Sequence, residues 1–330
     1  SGTLGEPMAW LDTPGDWQWM LENWNVVLKN AGVRKGAKCF FAFSFGPFLG
    51  FWTAYEAAMQ RGCLCIPGGG QSSEQRLKII LEQGVEYLFC TPTYALHLLE
   101  VANEAGIDLS GNQLRSIIVA GETGGSEKGI REKISKQWNG VQVYDHYGMT
   151  EVGPVAYEIP GQSGGLRIIQ ESYFAEVVDP QSEQSIPNGE LGELVLTTLG
   201  RVGCPVLRYR SGDLVKVEEG VDEKGIPTFD LIGGILGRAD DMVVVRGVNL
   251  YPASVDAVIR KFDEVQEYRV YKERVGSMLE LTIEVEASLE VAILIEVALK
   301  ESFSLRIPVE SVDRGTFPRF EMKAKRWEDK

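Results

Sequence analysis

From Asp16 to Tyr144 short apolar runs alternate with segments whose apolar residues recur at helical spacing, and this alternation restricts the fold more than any other property of the chain. Asp16 to Asn30 carries Trp17, Met20, Leu21, Trp24, Val27 and Leu28 on one helical face, and Gly32 marks its end. Cys39 to Phe43 predicts a strand, Phe48 to Gln60 a helix, Cys63 to Ile66 a strand, Ser73 to Gln83 a helix and Tyr87 to Cys90 a strand. Ser116 to Ala120, Glu127 to Trp138 and Val141 to Tyr144 continue the series. Strand, helix, strand in succession is the signature of crossover units, so a mostly parallel sheet is expected. Such sheets take ligands at the carboxyl ends of their strands. That singles out two stretches expected to be loops, Gly121-Glu122-Thr123 and Asp145 to Glu151.

After Gly161 the pattern changes to short β-like runs, Ala175 to Val178, Glu193 to Thr197 and Val215 to Val217, separated by Pro, Gly and Asn turns. A small β subdomain is expected there. Residues 242 to 330 carry strands at Tyr268 to Tyr271 and Leu279 to Val285, a helix from Leu289 to Ser302 and a polar tail. The expected class is therefore α/β: a large domain with a mostly parallel crossover sheet plus a small β subdomain, followed by a small α+β C-terminal domain. A length of 330 residues suits two domains, because single cores stop growing at about 250 to 300 residues. The net charge of −14 disfavours a nucleic-acid partner. No run of about 18 apolar residues is available to span a membrane and no leader opens the chain, so a soluble cytoplasmic protein is expected. The five cysteines have neither disulfide-scaffold nor zinc-knuckle spacing and read as reduced, buried thiols; Cys63 and Cys65 share one face of a strand.

Three stretches carry chemistry. Tyr147-Gly148-Met149-Thr150-Glu151 offers an aromatic face, a hydroxyl and a carboxylate. Asp213, in Tyr209-Arg210-Ser211-Gly212-Asp213, can accept from both hydroxyls of a vicinal diol. Gly237-Arg238-Ala239-Asp240-Asp241 forms a Gly-Arg-x-Asp turn that runs on to Arg246-Gly247. Base, phosphate, Mg²⁺ and ribose are each provided for, so the set reads as a site for ATP. Any one of the three has a bland alternative, such as an exposed turn or a surface salt bridge. Their order is what gives them weight.

With Pro318-Arg319 and Lys323 following them, these stretches resemble the adenylate-forming superfamily of acyl-CoA synthetases and adenylation domains. Ile66-Pro67-Gly68-Gly69-Gly70-Gln71-Ser72, Cys90-Thr91-Pro92-Thr93-Tyr94, Tyr144-Asp145-His146-Tyr147-Gly148 and Arg246-Gly247-Val248-Asn249-Leu250-Tyr251-Pro252 extend the resemblance to phenylacetate-CoA ligases over nearly the whole chain. Ser1-Gly2-Thr3-Leu4-Gly5-Glu6-Pro7 resembles the second part of that family's phosphate loop, which implies that the chain starts inside a motif.

The resemblance implies ATP-dependent activation of a carboxylic acid, aryl or arylacetic, to an acyl-adenylate, then transfer to coenzyme A. It implies an AMP-binding domain over residues 1 to 237, a C-terminal lid over 238 to 330 and a hinge at Asp240. Lys323 would bridge carboxylate and phosphate, with Lys325 as the alternative, and Thr150 would meet the α-phosphate. Glu151 would hold Mg²⁺. Ser1, Gly2, Thr3, Gly121, Glu122, Asp145, Tyr147, Gly148, Met149, Asp213 and Arg238 would bind the nucleotide, with Gly148 letting backbone approach it. Phe45, Gly46, Thr123 and Gly124 would shape the acyl pocket, although alternate Phe residues in a strand equally fit a core.

Several positions depart from the family pattern. Leu4 and Glu6 stand where Thr and Lys are usual, losing a hydroxyl and reversing a charge beside pyrophosphate. Thr123-Gly124 replaces Pro-Trp, so a larger pocket is expected. Ile159, Arg167 and Tyr173 replace a Cys and two His, which argues against a structural zinc. Two other readings stay open: an adenylating enzyme that uses a carrier-protein thiol or adenylates a coenzyme, and a catalytically impaired nucleotide-binding homologue. Homodimerisation is also open.

Overall fold

The structure is a computed structural model that describes residues 9–45, 49–122, 124–159, 161–275, 278–318 and 326–330. In its first half α1 (Pro14–Asn30), β1 (Lys38–Phe41), α2 (Leu49–Gln60), β2 (Leu64–Pro67), α3 (Ser73–Glu82), β3 (Tyr87–Cys90), α4 (Pro92–Ala105), β4 (Ser116–Val119), α5 (Lys128–Gln137) and β5 (Gln142–Met149) alternate. The strands lie in the order β2-β1-β3-β4-β5, every neighbouring pair parallel. Capping residues set the helix starts. Thr13 and Asp16 close a reciprocal box on α1, Ser72 and Gln75 do the same on α3, and Thr91 caps α4 ahead of Pro92. α4 ends on Gly106, whose φ of +65° suits a residue without a Cβ.

Alternation along each strand sorts the core into two layers. Phe40, Leu88, Ile117 and Val143 face α3, α4 and α5 through Leu77, Ile80, Tyr94, Leu98 and Ile134. Their neighbours Phe41, Phe89 and Ile118 face α1 and α2 through Leu21, Trp24, Ala54 and Ala58. Fully burying a side chain of this size contributes roughly 1.5–3 kcal/mol, so both layers are needed to fix the sheet.

The second half continues the same sheet with antiparallel strands: β6 (Gly153–Glu158), β7 (Leu166–Ile168), β8 (Tyr173–Val178), β9 (Leu191–Thr198), β10 (Tyr209–Val221), β11 (Pro227–Leu231) and β12 (Gly237–Arg238). The order runs β5-β6-β7-β11-β10-β9-β8, with β12 on β10. Val155, Leu166, Leu194, Val215 and Leu231 fill the core beneath it.

A separate lobe follows with β13 (Val243–Val245), β14 (Val248–Leu250), α6 (Pro252–Ile259), β15 (Tyr268–Val275), β16 (Met278–Glu286), α7 (Leu289–Phe303), β17 (Val309–Val312) and β18 (Trp327–Asp329). Its sheet is ordered β17-β16-β15-β18, and its core runs from Val245 to Ile307 with Trp327 packed against it. The tail expected to be merely polar therefore ends in a strand, because Trp327 pairs with Val270 and covers apolar surface.

Cys39 and Cys90 are buried, whereas Cys63, Cys65 and Cys204 are only half-buried; β2 is an edge strand, so Cys65 on it is covered from one side. All five are free thiols. Among the described residues no helix is long and apolar enough to cross a membrane.

Candidate functional site

β5 carries the first motif, and it does so as strand where a loop was expected. Asp145 to Met149 stay extended because β6 returns antiparallel alongside, pairing His146 with Tyr157 and Tyr147 with Ala156. The register shifts between Tyr147 and Gly148, and a Cβ at Gly148 would lie 2.7 Å from the Gly153 carbonyl oxygen. Glycine at 148 is thus required by the hairpin itself, a reason distinct from the approach to a nucleotide expected for it.

Asp145 is 8% exposed. It accepts from the Ser126 hydroxyl at 2.5 Å and from the His146 N–H at 2.9 Å, and a Cβ on Gly125 would overlap its carboxylate. Behind it Arg131 forks onto Glu158 with two bonds of 2.7 Å and donates to the Gly125 and Val143 carbonyls. Burial, followed by the nearby Glu158 charge, pushes the Asp145 carboxyl up to about 7. His146 bonds the Ala156 carbonyl at 2.8 Å and packs on Trp24, and burial pushes its imidazole down to about 4. Asp145 therefore anchors the loop before α5 to the strand.

Tyr147, Asp213, Arg238 and Asp240 come together in one chain of contacts. The Tyr147 hydroxyl donates to Asp213 Oδ2 at 2.5 Å, and Arg238 Nη1 lies 3.4 Å from Oδ1. Asp213 and Arg238 face each other across β10 and β12. Arg238 also forks onto Asp240 at 2.9 and 3.0 Å and donates to the Ser211 carbonyl at 3.1 Å. Gly212, at φ +74°, leaves room for the guanidinium, which a Cβ there would meet at 2.7 Å. Asp213 is 6% exposed and Tyr147 9%, so little of the tyrosine ring is open and its hydroxyl serves to orient the carboxylate. Burial, with the Asp213 charge next, raises the Tyr147 phenol well above its ordinary value, which keeps it a donor.

Thr150 and Glu151 form the turn between β5 and β6, half-buried, with Met149 packed against the core below. Their backbone carbonyls both accept from Arg201, at 2.7 and 2.9 Å, a contact that no local sequence pattern announces. Glu122 accepts from the Thr93 N–H at 2.7 Å and so holds the start of α4; Gly121 beside it has φ +93°. A cavity of about 310 Å³ between α4, α5 and the C-terminal lobe reaches Thr93. The side chains of Thr150, Glu151 and Asp213 do not line it. Phe45 is half-buried edge-on to Trp52 and Tyr55, part of an aromatic cluster continuous with the core. Gly124 has φ +117°, and a Cβ there would sit 2.9 Å from Ile130 Cδ1, so its missing side chain faces α5. Ser1, Gly2, Thr3, Leu4, Glu6, Gly46, Thr123, Lys323 and Lys325 lie outside the described residues.

Comparison with known proteins adds ancestry to this geometry. Residues 1–200 match the family described as AMP-binding enzyme, and residues 247–330 match the AMP-binding enzyme C-terminal domain. Phenylacetate-coenzyme A ligase of Pseudomonas putida is 32% identical over 88% of this chain and 65% of its own length. The Escherichia coli (strain K12) phenylacetate-coenzyme A ligase is 31% identical over 98% of this chain and 76% of its own. The chain thus spans about two thirds of the length of the Pseudomonas relative. Among solved structures, 2-hydroxyisobutyryl-CoA ligase in the postadenylation state with 2-HIB-AMP superposes with a TM-score of 0.89 at 27% identity, covering 96% of this chain and 70% of that one. The same ligase with 2-HIB-AMP and CoA in the thioesterification state gives 0.69, again at 27% identity, over 100% of this chain and 72% of that one. On the match over residues 1–200 and the likeness to the Escherichia coli protein, the chain belongs to the AMP-binding enzyme family and is a relative of the phenylacetate-coenzyme A ligases.

Proposed function

We propose that the chain activates an aryl or arylacetic acid with ATP and passes the acyl group to coenzyme A. A carboxylate oxygen attacks the α-phosphorus, the bond to the bridging oxygen breaks and pyrophosphate leaves. The coenzyme A thiolate then attacks the acyl carbon and expels AMP. The observation that carries this reading is Asp213, a carboxylate oriented by Tyr147 and Arg238 and followed across the strand ends by the Thr150–Glu151 turn. A carboxylate can accept from both hydroxyls of a vicinal diol, and Tyr147 and Arg238 hold that of Asp213 in orientation.

Thr150 would donate to the α-phosphate, while Gly121 and Glu122 would frame the base beside Tyr147. Glu151 fits Mg²⁺, which keeps most of its waters and takes one or two carboxylates; when bound, the ion would offset phosphate charge. Lys323 would bridge the two anions as they meet. The site would work in the cytoplasm, and a homodimer remains compatible with it.

The chain would divide into an AMP-binding domain, 1–237, and a lid, 238–330, turning about Asp240. Two observations support a turning point there: Arg238 is still paired to β10, and the lobe core begins only at Val245. The higher TM-score against the postadenylation state than against the thioesterification state of one relative supports reading this arrangement as the first of two poses.

The test is to incubate the protein with ATP, Mg²⁺ and a panel of aryl, arylacetic and short hydroxy acids, with and without coenzyme A. Acid-dependent pyrophosphate and AMP, and a coenzyme A thioester, are expected. Nucleotide binding without pyrophosphate for any acid would establish the impaired-homologue reading instead. Adenylate formation without thioester would point to another thiol.

A further inference from the structure

Arg201 is completely buried, yet its guanidinium reaches two separate parts of the chain. Nε and Nη2 fork onto the two carboxylate oxygens of Asp12 at 2.6 and 2.9 Å. Nη1 donates to the carbonyls of Thr150 and Glu151. Its Cζ lies over the Trp10 ring, 5.5 Å from the centroid. Four of its five N–H donors are therefore committed, and only a planar fork can meet a carboxylate and two carbonyls at once.

The chain around Arg201 is built to bring it there. Asp16, which caps α1, also accepts from the N–H groups of Val202 and Gly203 at 2.6 and 3.0 Å. A Cβ on Gly200 would lie 2.3 Å from Trp19 Nε1, and one on Gly203 would lie 2.6 Å from Asp16 Oδ2. Glycine on both sides lets residues 200–203 press onto the start of α1, with Asp12 and Asp16 gripping the segment between them. Asp12 is the fifth residue after Pro7, where the stretch resembling a phosphate loop ends.

We propose that Arg201 is a positioning residue that ties residues 10–12 to the Thr150–Glu151 turn and thereby sets the hold on Mg²⁺-bound ATP. This rests on reading that turn as the phosphate- and metal-binding element. Breaking the fork frees the turn's backbone and lets the Glu151 carboxylate drift. Loss of a supporting partner of this kind typically weakens metal affinity roughly 10- to 100-fold.

The experiment compares the parent with Arg201→Lys, Arg201→Met and Asp12→Asn. It uses calorimetry of ATP with Mg²⁺, calorimetry of AMP without it, and amide hydrogen exchange over residues 149–152. In Arg201→Lys the charge survives but the fork does not. ATP affinity with Mg²⁺ should fall roughly 10- to 100-fold and exchange in the turn should quicken, while AMP affinity changes less than about twofold. Asp12→Asn, which leaves the arginine in place, should move ATP affinity and exchange in the same direction by less. If Arg201→Met does not fold, these two variants decide. Unchanged ATP affinity in folded variants overturns the proposal, as does a parallel loss of AMP binding, which would mark a general structural role. A parent that binds neither nucleotide sinks the site reading itself.

Discussion

Replacing Asp145 with Asn should change how stability depends on pH, with a sign and size set by its surroundings. Burial raises the Asp145 carboxyl from 3.8 to about 7, so between those values the folded chain holds a proton that the unfolded chain has lost. Its contribution is complete below pH 3.8 and is lost as pH rises through about 7, a total of ~4 kcal/mol at 1.36 kcal/mol per pH unit. His146 acts oppositely. Burial lowers it from 6.5 to about 4, so its contribution, about 3 kcal/mol, is complete above 6.5 and is lost as pH falls toward 4. The two nearly cancel in the parent. Asp145→Asn removes one arm: relative to the parent, its unfolding free energy should climb by about 1.4 kcal/mol per pH unit from 4.5 to 6.5. A constant offset from the altered contacts with Ser126 and His146 leaves that slope untouched. Urea unfolding at four or five pH values measures it. Parallel curves for variant and parent would show that Asp145 is ionised in the folded chain throughout, and would refute the argument.

Asp213→Ala should weaken AMP binding roughly 10- to 100-fold, the loss of charged hydrogen bonds worth about 1.5–3 kcal/mol; unchanged affinity by calorimetry would reject the ribose assignment. Lys323→Ala should abolish pyrophosphate formation yet still convert supplied acyl-AMP to thioester, and equal loss of both half-reactions would remove the division of labour between poses. Gly124→Trp, at φ +117° and facing Ile130, should cost about 1–3 kcal/mol of stability without changing the ranking of acids. A variant of parental stability with a shifted ranking would return residue 124 to the acyl pocket.

Apart from α4, the strands and helices up to Tyr144 could be read from the sequence: the strands, buried on both faces, are short continuous apolar runs, while the helices bury one face and carry a helical period. α4 was not read, although the Thr91–Pro92 start and the Gly106 stop carry its signals; Thr91 and Pro92 drew notice only as a family likeness. The continuation of β5 was not legible. Asp145 and His146 look like loop residues, and their burial depends on Ser126 and Ala156, which folding brings to them. The candidate residues Tyr147, Asp213 and Arg238 stood out by type and order, whereas the Asp213–Arg238 contact arises from the β10–β12 pairing and the Tyr147–Asp213 contact joins residues 66 apart in sequence. Arg201 had no signal at all, since its carboxylate partner is 189 residues away in sequence.

β5 belongs to both halves of the sheet. Val143 points into the layer under α3 to α5, Tyr144 toward α1 and α2, and Tyr147 into the antiparallel half. A strand shared in this way leaves no cleavage plane through the large lobe, since releasing either half strips a wall from the other. Unfolding should therefore take the parallel and antiparallel halves together as one cooperative unit, and the amides of β5 should exchange with solvent only when the whole lobe opens. The strand that bears Tyr147 would then be among the last parts of the lobe to loosen, while the half-buried turn beyond it is held by Arg201 rather than by strand pairing.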